Sequence, residues 1–159
     1  MQKHLMWASA TLALVIAACG GSLPTSQASP TSSCVNAGAP HHAYVVVEHL
    51  SGTSLQKCVG FAGDTIDGQA LMDQSGIEFQ SQTFSFGKGA CQVDNEPAQF
   101  STCFPANKPY WALFLESNGV WALASGAYDK ASLHDKDAIG WHYVQPTDPS
   151  PAPPPLASE

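Results

Sequence analysis

Four cysteines constrain the fold more than any other feature of this sequence: Cys34, Cys58, Cys91 and Cys103. An even number favours disulfides, and four cysteines can be joined in three ways. We prefer Cys34 with Cys58, which would tie the start of the domain to its second strand. Cys91 with Cys103 would then close a short loop around Pro97. A zinc site is the alternative, but the spacing contains no Cys-x-x-Cys pair.

The amino-terminal segment indicates export. Residues 1–18 carry Lys3 and then an apolar stretch that is too short to span a bilayer as a helix. The apolar stretch is followed directly by Cys19, so that residues 16–19 read IAAC. This tetrapeptide resembles the bacterial lipobox, in which the cysteine receives a diacylglycerol before cleavage. The resemblance implies a signal peptide over residues 1–18, lipid on Cys19 and attachment to the outer face of the cell membrane. An ordinary secretory signal with a chance cysteine is the alternative.

Two segments without apolar periodicity flank the predicted domain. Residues 19–33 are uncharged and rich in small polar residues, which predicts a flexible tether. Residues 146–159 are rich in proline, which disfavours helices and sheet interiors, so a disordered tail is expected there. A polyproline ligand for a partner is the alternative for this tail. The folded domain is therefore expected over residues 34–145.

The domain itself has the pattern of an α+β fold. Residues after Asp64 or Thr65 predict one helix that ends at Gly76. Asn118-Gly119 lies between two apolar runs and predicts a hairpin, because both turn residues take positive φ. Runs of β-branched, aromatic or alternating residues predict strands over residues 43–48, 55–61, 77–84, 91–94, 110–115, 120–123 and 138–144. The order predicts one helix packed on a mainly antiparallel sheet.

Charge and motifs exclude several function classes. The chain has 13 acidic residues, six lysines and no arginine, for a net charge of −7, so nucleic-acid binding is not expected. The histidines match no metal-binding spacing, and the Asp135-x-Asp137 pair lacks the other ligands of an EF-hand loop. The sequence G-x-S-x-G does not occur, and the cysteines are expected to be oxidised. We therefore expect a monomer with no enzymatic activity, no metal and no bound cofactor.

Aromatic residues on the predicted strands are the candidate ligand contacts: Tyr110, Trp111, Trp121 and Trp141. Strand residues alternate between faces, so Tyr110 and Trp111 point to opposite sides of the sheet. An exposed aromatic strip would suit a planar ligand or a sugar. Packing in the core is the alternative for each of these rings, since aromatic side chains dominate the buried area of small domains.

Four segments together resemble the transcobalamin C-terminal-like domain of exported actinobacterial proteins. They are CVGF…GQALMDQSG over residues 58–76, CQVD over residues 91–94, PYWALF over residues 109–114 and DKDAIGWHY over residues 135–143. The resemblance implies a β-grasp-like fold, the same four cysteines and a small-molecule ligand such as cobalamin. The alternative is a non-catalytic protein-interaction or structural domain of the cell envelope. Ala112-Leu113-Phe114 favours it, because relatives commonly have Tyr-Trp-Ser-Tyr-Trp over residues 110–114.

Overall fold

The computed structural model describes residues 34–156, within which it has nine β-strands, one α-helix and one short 3-10 helix. The strands are β1 (His41–Glu48), β2 (Ser54–Phe61), β3 (Ile66–Asp67), β4 (Phe79–Phe84), β5 (Gly87–Val93), β6 (Tyr110–Ser117), β7 (Val120–Leu123), β8 (Ser132–Leu133) and β9 (Ala138–Val144). The α-helix is α1 (Gly68–Ser75), and the 3-10 helix is Tyr128–Lys130. The predicted signal peptide, the lipidation site at Cys19 and the tether lie outside the described residues. No helix in the described part of the chain is long and apolar enough to cross a membrane.

Five strands form the main sheet, in the order β2-β1-β9-β6-β7. Neighbouring strands are antiparallel except for the central pair, where β1 runs parallel to β9 with Val45 opposite Ile139. Helix α1 packs against β1 and β2 on one face of this sheet. Two hairpins with a parallel central pair and one covering helix form a β-grasp-like arrangement. The predicted α+β class is therefore confirmed.

The main core lies between the helix and the inner face of the sheet. Leu71 and Met72 of α1 are fully buried against strand residues such as Val45, Val47 and Ile139. Full burial of each of these side chains stabilises the fold by roughly 1.5–3 kcal/mol. The β4–β5 hairpin is a separate two-stranded sheet that covers the remainder of this face, with Phe79 packed against the core.

The helix begins later than the sequence predicts. Asp67 is the N-cap, and its Oδ1 accepts from the backbone N–H of Ala70 at 2.8 Å. Ile66 and Asp67 instead pair with Leu133 and Ser132 as strands β3 and β8, because this distant segment supplies hydrogen-bond partners that no local pattern reveals. The end at Gly76, with φ of 72°, agrees with the prediction.

Both preferred disulfides are present and hold different parts of the fold. Cys34–Cys58 fixes the start of the domain along the outer edge of β2, where Val35 N–H donates to the Cys58 carbonyl at 2.9 Å. Cys91–Cys103 joins β5 to the segment of residues 94–109, which we call the cavity loop. The predicted pairing is confirmed. Such bridges are typical of domains that fold outside the reducing cytosol.

The proline-rich tail is predicted to be disordered, but within residues 146–156 it packs against the domain. Pro154 is fully buried against the outer face of the sheet, opposite α1. A Cβ atom on Gly140 would lie only 2.8 Å from Pro154 Cγ. Because glycine has no side chain, the sheet surface has a depression at Gly140, and the proline ring fills it. The Ala152 carbonyl accepts from His142 Nδ1 at 2.8 Å. The side-chain entropy lost when Pro154 is buried is close to zero, because proline has almost no rotamer freedom.

Candidate ligand-binding site

Two aromatic side chains form the floor of the larger cavity, whose volume is about 310 Å³. Trp111 on β6 and Tyr143 on β9 are directly opposite each other in the sheet register. Their ring centroids lie 4.8 Å apart with planes inclined by 37°. The alternation of β6 directs Trp111 to the inner face, where α1 leaves this end of the sheet uncovered.

The cavity loop forms the walls and the rim. Apolar walls come from the Cys91–Cys103 disulfide and from Phe100 together with three prolines, Pro97, Pro105 and Pro109. The polar lining residues are Gln99, Ser101, Thr102 and Lys108, and all four are exposed. Apolar walls with a few polar groups at the mouth are the usual composition of a small-molecule site.

Hydrogen bonds fix the start of the cavity loop against the strands. Trp111 Nε1 donates to the Glu96 carbonyl at 2.9 Å. Gln92 Nε2 on β5 donates to the Pro97 carbonyl at 2.7 Å, and Gln80 Nε2 donates to Gln92 Oε1 at 2.7 Å. These bonds and the disulfide hold the loop at both sides of the cavity, so the walls are preorganised.

His49, at the end of the β1–β2 hairpin, bridges two acidic side chains of the cavity loop. Its Nε2 lies 3.0 Å from Asp94 Oδ2, and its Nδ1 lies 2.8 Å from Glu96 Oε2. The ring therefore links the hairpin to the start of the cavity loop. The Glu96 carboxylate also accepts from Leu50 N–H at 3.3 Å, and it therefore faces the hairpin.

A smaller cavity of about 150 Å³ shares Trp111 with the larger one. Its lining includes Trp141, Tyr128 and Phe104, and Lys88 is its charged residue. Phe86 lies at the mouth with 57% of its surface exposed and stacks on Phe84 with centroids 5.2 Å apart. Trp111 is therefore the side chain common to both cavities.

The four predicted aromatic contacts separate between the two faces. Trp111 lines both cavities, and Trp141 lines the smaller one, where its Nε1 donates to Met72 Sδ at 3.3 Å. Tyr110 and Trp121 both pack against a cluster on the outer face that is separate from the main core, away from the cavities. Trp121 also covers Gly140, where a Cβ would lie 2.7 Å from its ring. The structure thus brings only Trp111 and Trp141 together.

Both tyrosines that line the cavities are held in the neutral form. Burial raises the pKa of Tyr143, and the nearby Glu96 carboxylate raises it further. Burial also raises the pKa of Tyr128, although a hydrogen bond with Ser81 opposes the shift. Each phenol is consequently a neutral hydrogen-bonding group at physiological pH, not a base.

Sequence reasoning missed Tyr143, Lys108 and the cavity loop. Tyr143 was identifiable as the strand neighbour of Trp111 only once the β6–β9 register was known. The cavity loop has no periodic pattern, and its course depends on the disulfide. A proline-rich insertion beside two cysteines was the available signal.

Comparisons with known proteins give limited information about this site. No family model matches the chain. No curated protein matches it. Among solved structures it resembles the crystal structure of a "putative metal binding protein" from Ruminococcus gnavus, with 17% identity, a TM-score of 0.50, and coverage of 66% of this chain and 97% of that chain. At this identity the likeness supports the fold alone. Within residues 34–156 of this chain, no group of three or more His, Cys, Asp or Glu side chains is placed to hold a metal ion.

Proposed function

We propose that this chain is a monomeric, lipid-anchored module on the outer face of the cell membrane that binds a small molecule in the larger cavity. The observation that carries the proposal is the cavity of about 310 Å³ over Trp111 and Tyr143. Its volume lies at the lower end of the range for drug-sized ligands, about 300–1,000 Å³. The IAAC sequence at residues 16–19 supports the lipid anchor, and the two disulfides support an oxidising location.

The size of the cavity limits the ligand. A corrinoid, which the family resemblance implies, is larger than a drug-sized molecule, so it would insert one substituent while its ring stayed outside. A smaller planar molecule would be enclosed against Trp111, which lines the cavity although only 5% of its surface is exposed. We therefore propose a small planar ligand first and a corrinoid second.

Tryptophan fluorescence of the protein from Gly20 to Glu159, which contains every described residue, tests this proposal. The probes are N-phenyl-1-naphthylamine, a neutral molecule with two planar aromatic units, and cyanocobalamin. We expect saturable quenching by at least one probe, with most of it lost in Trp111→Phe. Trp121→Phe is the matched control, since Trp121 lies on the outer face and its removal should leave the response intact. No saturable response, or an equal loss in both variants, would refute the proposal.

One observation favours a second candidate, a protein-interaction domain. Strand β7 forms an edge of the main sheet in the described part of the chain, with Val120 and Leu123 at 66% and 59% exposure. An edge strand with apolar side chains can accept a strand from a partner. Envelope proteins retained by the wild type and lost with Val120→Lys would support this candidate. Retention unchanged by Val120→Lys would oppose it.

A further inference from the structure

The charged residues that line the two cavities are opposite in sign to the net charge of the whole chain. The chain has a net charge of −7 and 13 acidic residues, yet no acidic residue lines either cavity. The charged lining residues are Lys108 at the larger cavity and Lys88 at the smaller one. A cavity lined by one sign of charge favours ligands of the other sign.

Lys108 is placed to contact a ligand. Within residues 34–156 its ammonium group has no hydrogen-bond or ion-pair partner, and its side chain is exposed at the rim. Ser101, Thr102 and Gln99 supply further donors at the same rim. Lys88, in contrast, is half-buried and donates to Gln69 Oε1 at 2.9 Å, so it belongs to the framework of the smaller cavity.

The acidic side chain that precedes the cavity wall is directed away from the cavity. Glu96 is followed by the lining residue Pro97, but its Oε2 lies 2.8 Å from Nδ1 of His49 in the β1–β2 hairpin. The same carboxylate also accepts from Leu50 N–H. The Glu96 carboxylate is therefore turned toward the β1–β2 hairpin and does not line the larger cavity.

We infer that the larger cavity selects planar aromatic ligands that carry an anionic group, such as a carboxylate or a sulfonate. The ring lies on Trp111 and Tyr143, and the anionic group meets Lys108 and the hydroxyl groups of Ser101 and Thr102. This inference rests on the proposed function and adds the chemical class of the ligand to it.

A pair of probes isolates the anionic group. 8-Anilinonaphthalene-1-sulfonate and N-phenyl-1-naphthylamine share the same two aromatic units, and only the first carries a sulfonate. We expect the sulfonate to bind more tightly to the Gly20–Glu159 protein, with an affinity that falls as salt rises. Lys108→Gln should weaken it about fivefold, the effect of one exposed charge contact of about 1 kcal/mol. The same substitution should leave the neutral probe unchanged.

Lys136→Gln is the matched control, because it removes the same charge at an exposed turn that lines neither cavity. Equal affinities of the two probes, with both weakened by Trp111→Phe, would overturn the anion selectivity and leave the proposed function standing. Equal effects of Lys108→Gln and Lys136→Gln would also overturn it, as a general charge effect. No binding of either probe would overturn both proposals.

Discussion

At the scale of single residues, His49 connects the β1–β2 hairpin to the cavity loop. It bridges the carboxyl groups of Asp94 and Glu96, and its side chain is only 17% exposed. His49→Ala leaves two neighbouring carboxylates without this partner. We expect the free energy of unfolding to fall by about 1–2 kcal/mol, since hydrogen bonds to charged groups exceed neutral ones and partial exposure reduces the gain.

Urea denaturation measures this loss, and His134→Ala is the matched control. His134 lies 3.4 Å from Asp137, but its side chain is 69% exposed, so its removal should cost no more than about 0.5 kcal/mol. Equal losses in the two variants would show that the bridge at the cavity loop contributes no more than a surface pair.

Asp129 gives the fold an acid-sensitive contact. A hydrogen bond from Lys88 N–H, at 2.8 Å, holds the pKa of this carboxyl below its ordinary value, and Lys130 lowers it further while burial opposes both. Because the folded-state pKa is lowered, the stabilisation is complete above the unfolded value of about 4. It is lost as the pH falls through the folded-state value.

We therefore expect Asp129→Asn, which keeps the Oδ1 acceptor, to be less stable than the wild type by about 1 kcal/mol near pH 6. The difference should shrink below about pH 4. Urea denaturation from pH 6 to pH 2 measures it, with the exposed Asp64→Asn as the charge-matched control. A difference that stays constant over this range would contradict the assignment.

Residue-level prediction from sequence depends on which contacts are local. The alternation of β6 suffices to separate Tyr110 from Trp111, but not to decide which face holds a cavity. Trp121 and Tyr110 were predicted as ligand contacts, yet they pack on the outer face. That outcome depends on Gly140 and on the tail, both distant along the chain.

At the scale of elements, the tail is part of the packing of the outer face. Pro154 fills the depression at Gly140, and Leu156 packs against Tyr44, Cys58 and Ala138. Truncation after residue 150 removes both side chains. We expect the free energy of unfolding to fall by about 2–4 kcal/mol, since each buried apolar side chain contributes roughly 1.5–3 kcal/mol at full burial.

Urea denaturation followed by tryptophan emission tests the contribution of the tail. The truncated protein should also show red-shifted emission, because Trp121 loses its cover. Truncation after Leu156 is the control and should change neither quantity. An unchanged midpoint after the longer truncation would mean that the tail is not a stable part of the fold.

Elements defined by local signals could be predicted, and those defined by distant partners could not. Asn118 and Gly119 turn the β6–β7 hairpin with φ of 54° and 80°, as the dipeptide predicts. Strands β3 and β8 have two residues each and exist only because they pair with each other. The tail was predicted as disordered since proline composition gives no information about a complementary surface.

At the scale of the whole molecule, both disulfides are expected to stabilise the fold, whereas only one of them is expected to affect ligand binding. Chain-entropy arguments give about 3.5 kcal/mol for Cys34–Cys58 and about 3 kcal/mol for Cys91–Cys103, whose cysteines are 24 and 12 residues apart. Replacing either pair with serine should lower the free energy of unfolding by a comparable amount. Only the second bridge lines the larger cavity.

We therefore expect Cys91→Ser with Cys103→Ser to weaken probe binding at least tenfold, because the wall is no longer preorganised. Cys34→Ser with Cys58→Ser should preserve probe affinity at temperatures where the protein stays folded. Chemical denaturation and probe titration of both double variants measure the two effects. Equal losses of affinity would show that binding follows global stability.

The parallel pair at the centre of the sheet also determines when the domain can form. Tyr44, near the start of the domain, is paired with Ala138, near the end of the domain. The two central strands therefore come from opposite ends of the domain sequence. A polypeptide emerging from its amino terminus completes β1 and β2 early, while the place beside β1 stays empty until β9 arrives. Closing so long a loop slows folding, and it leaves a hydrophobic strand edge open to other chains in the meantime. The domain therefore stays open to association with other chains until its last strand has paired.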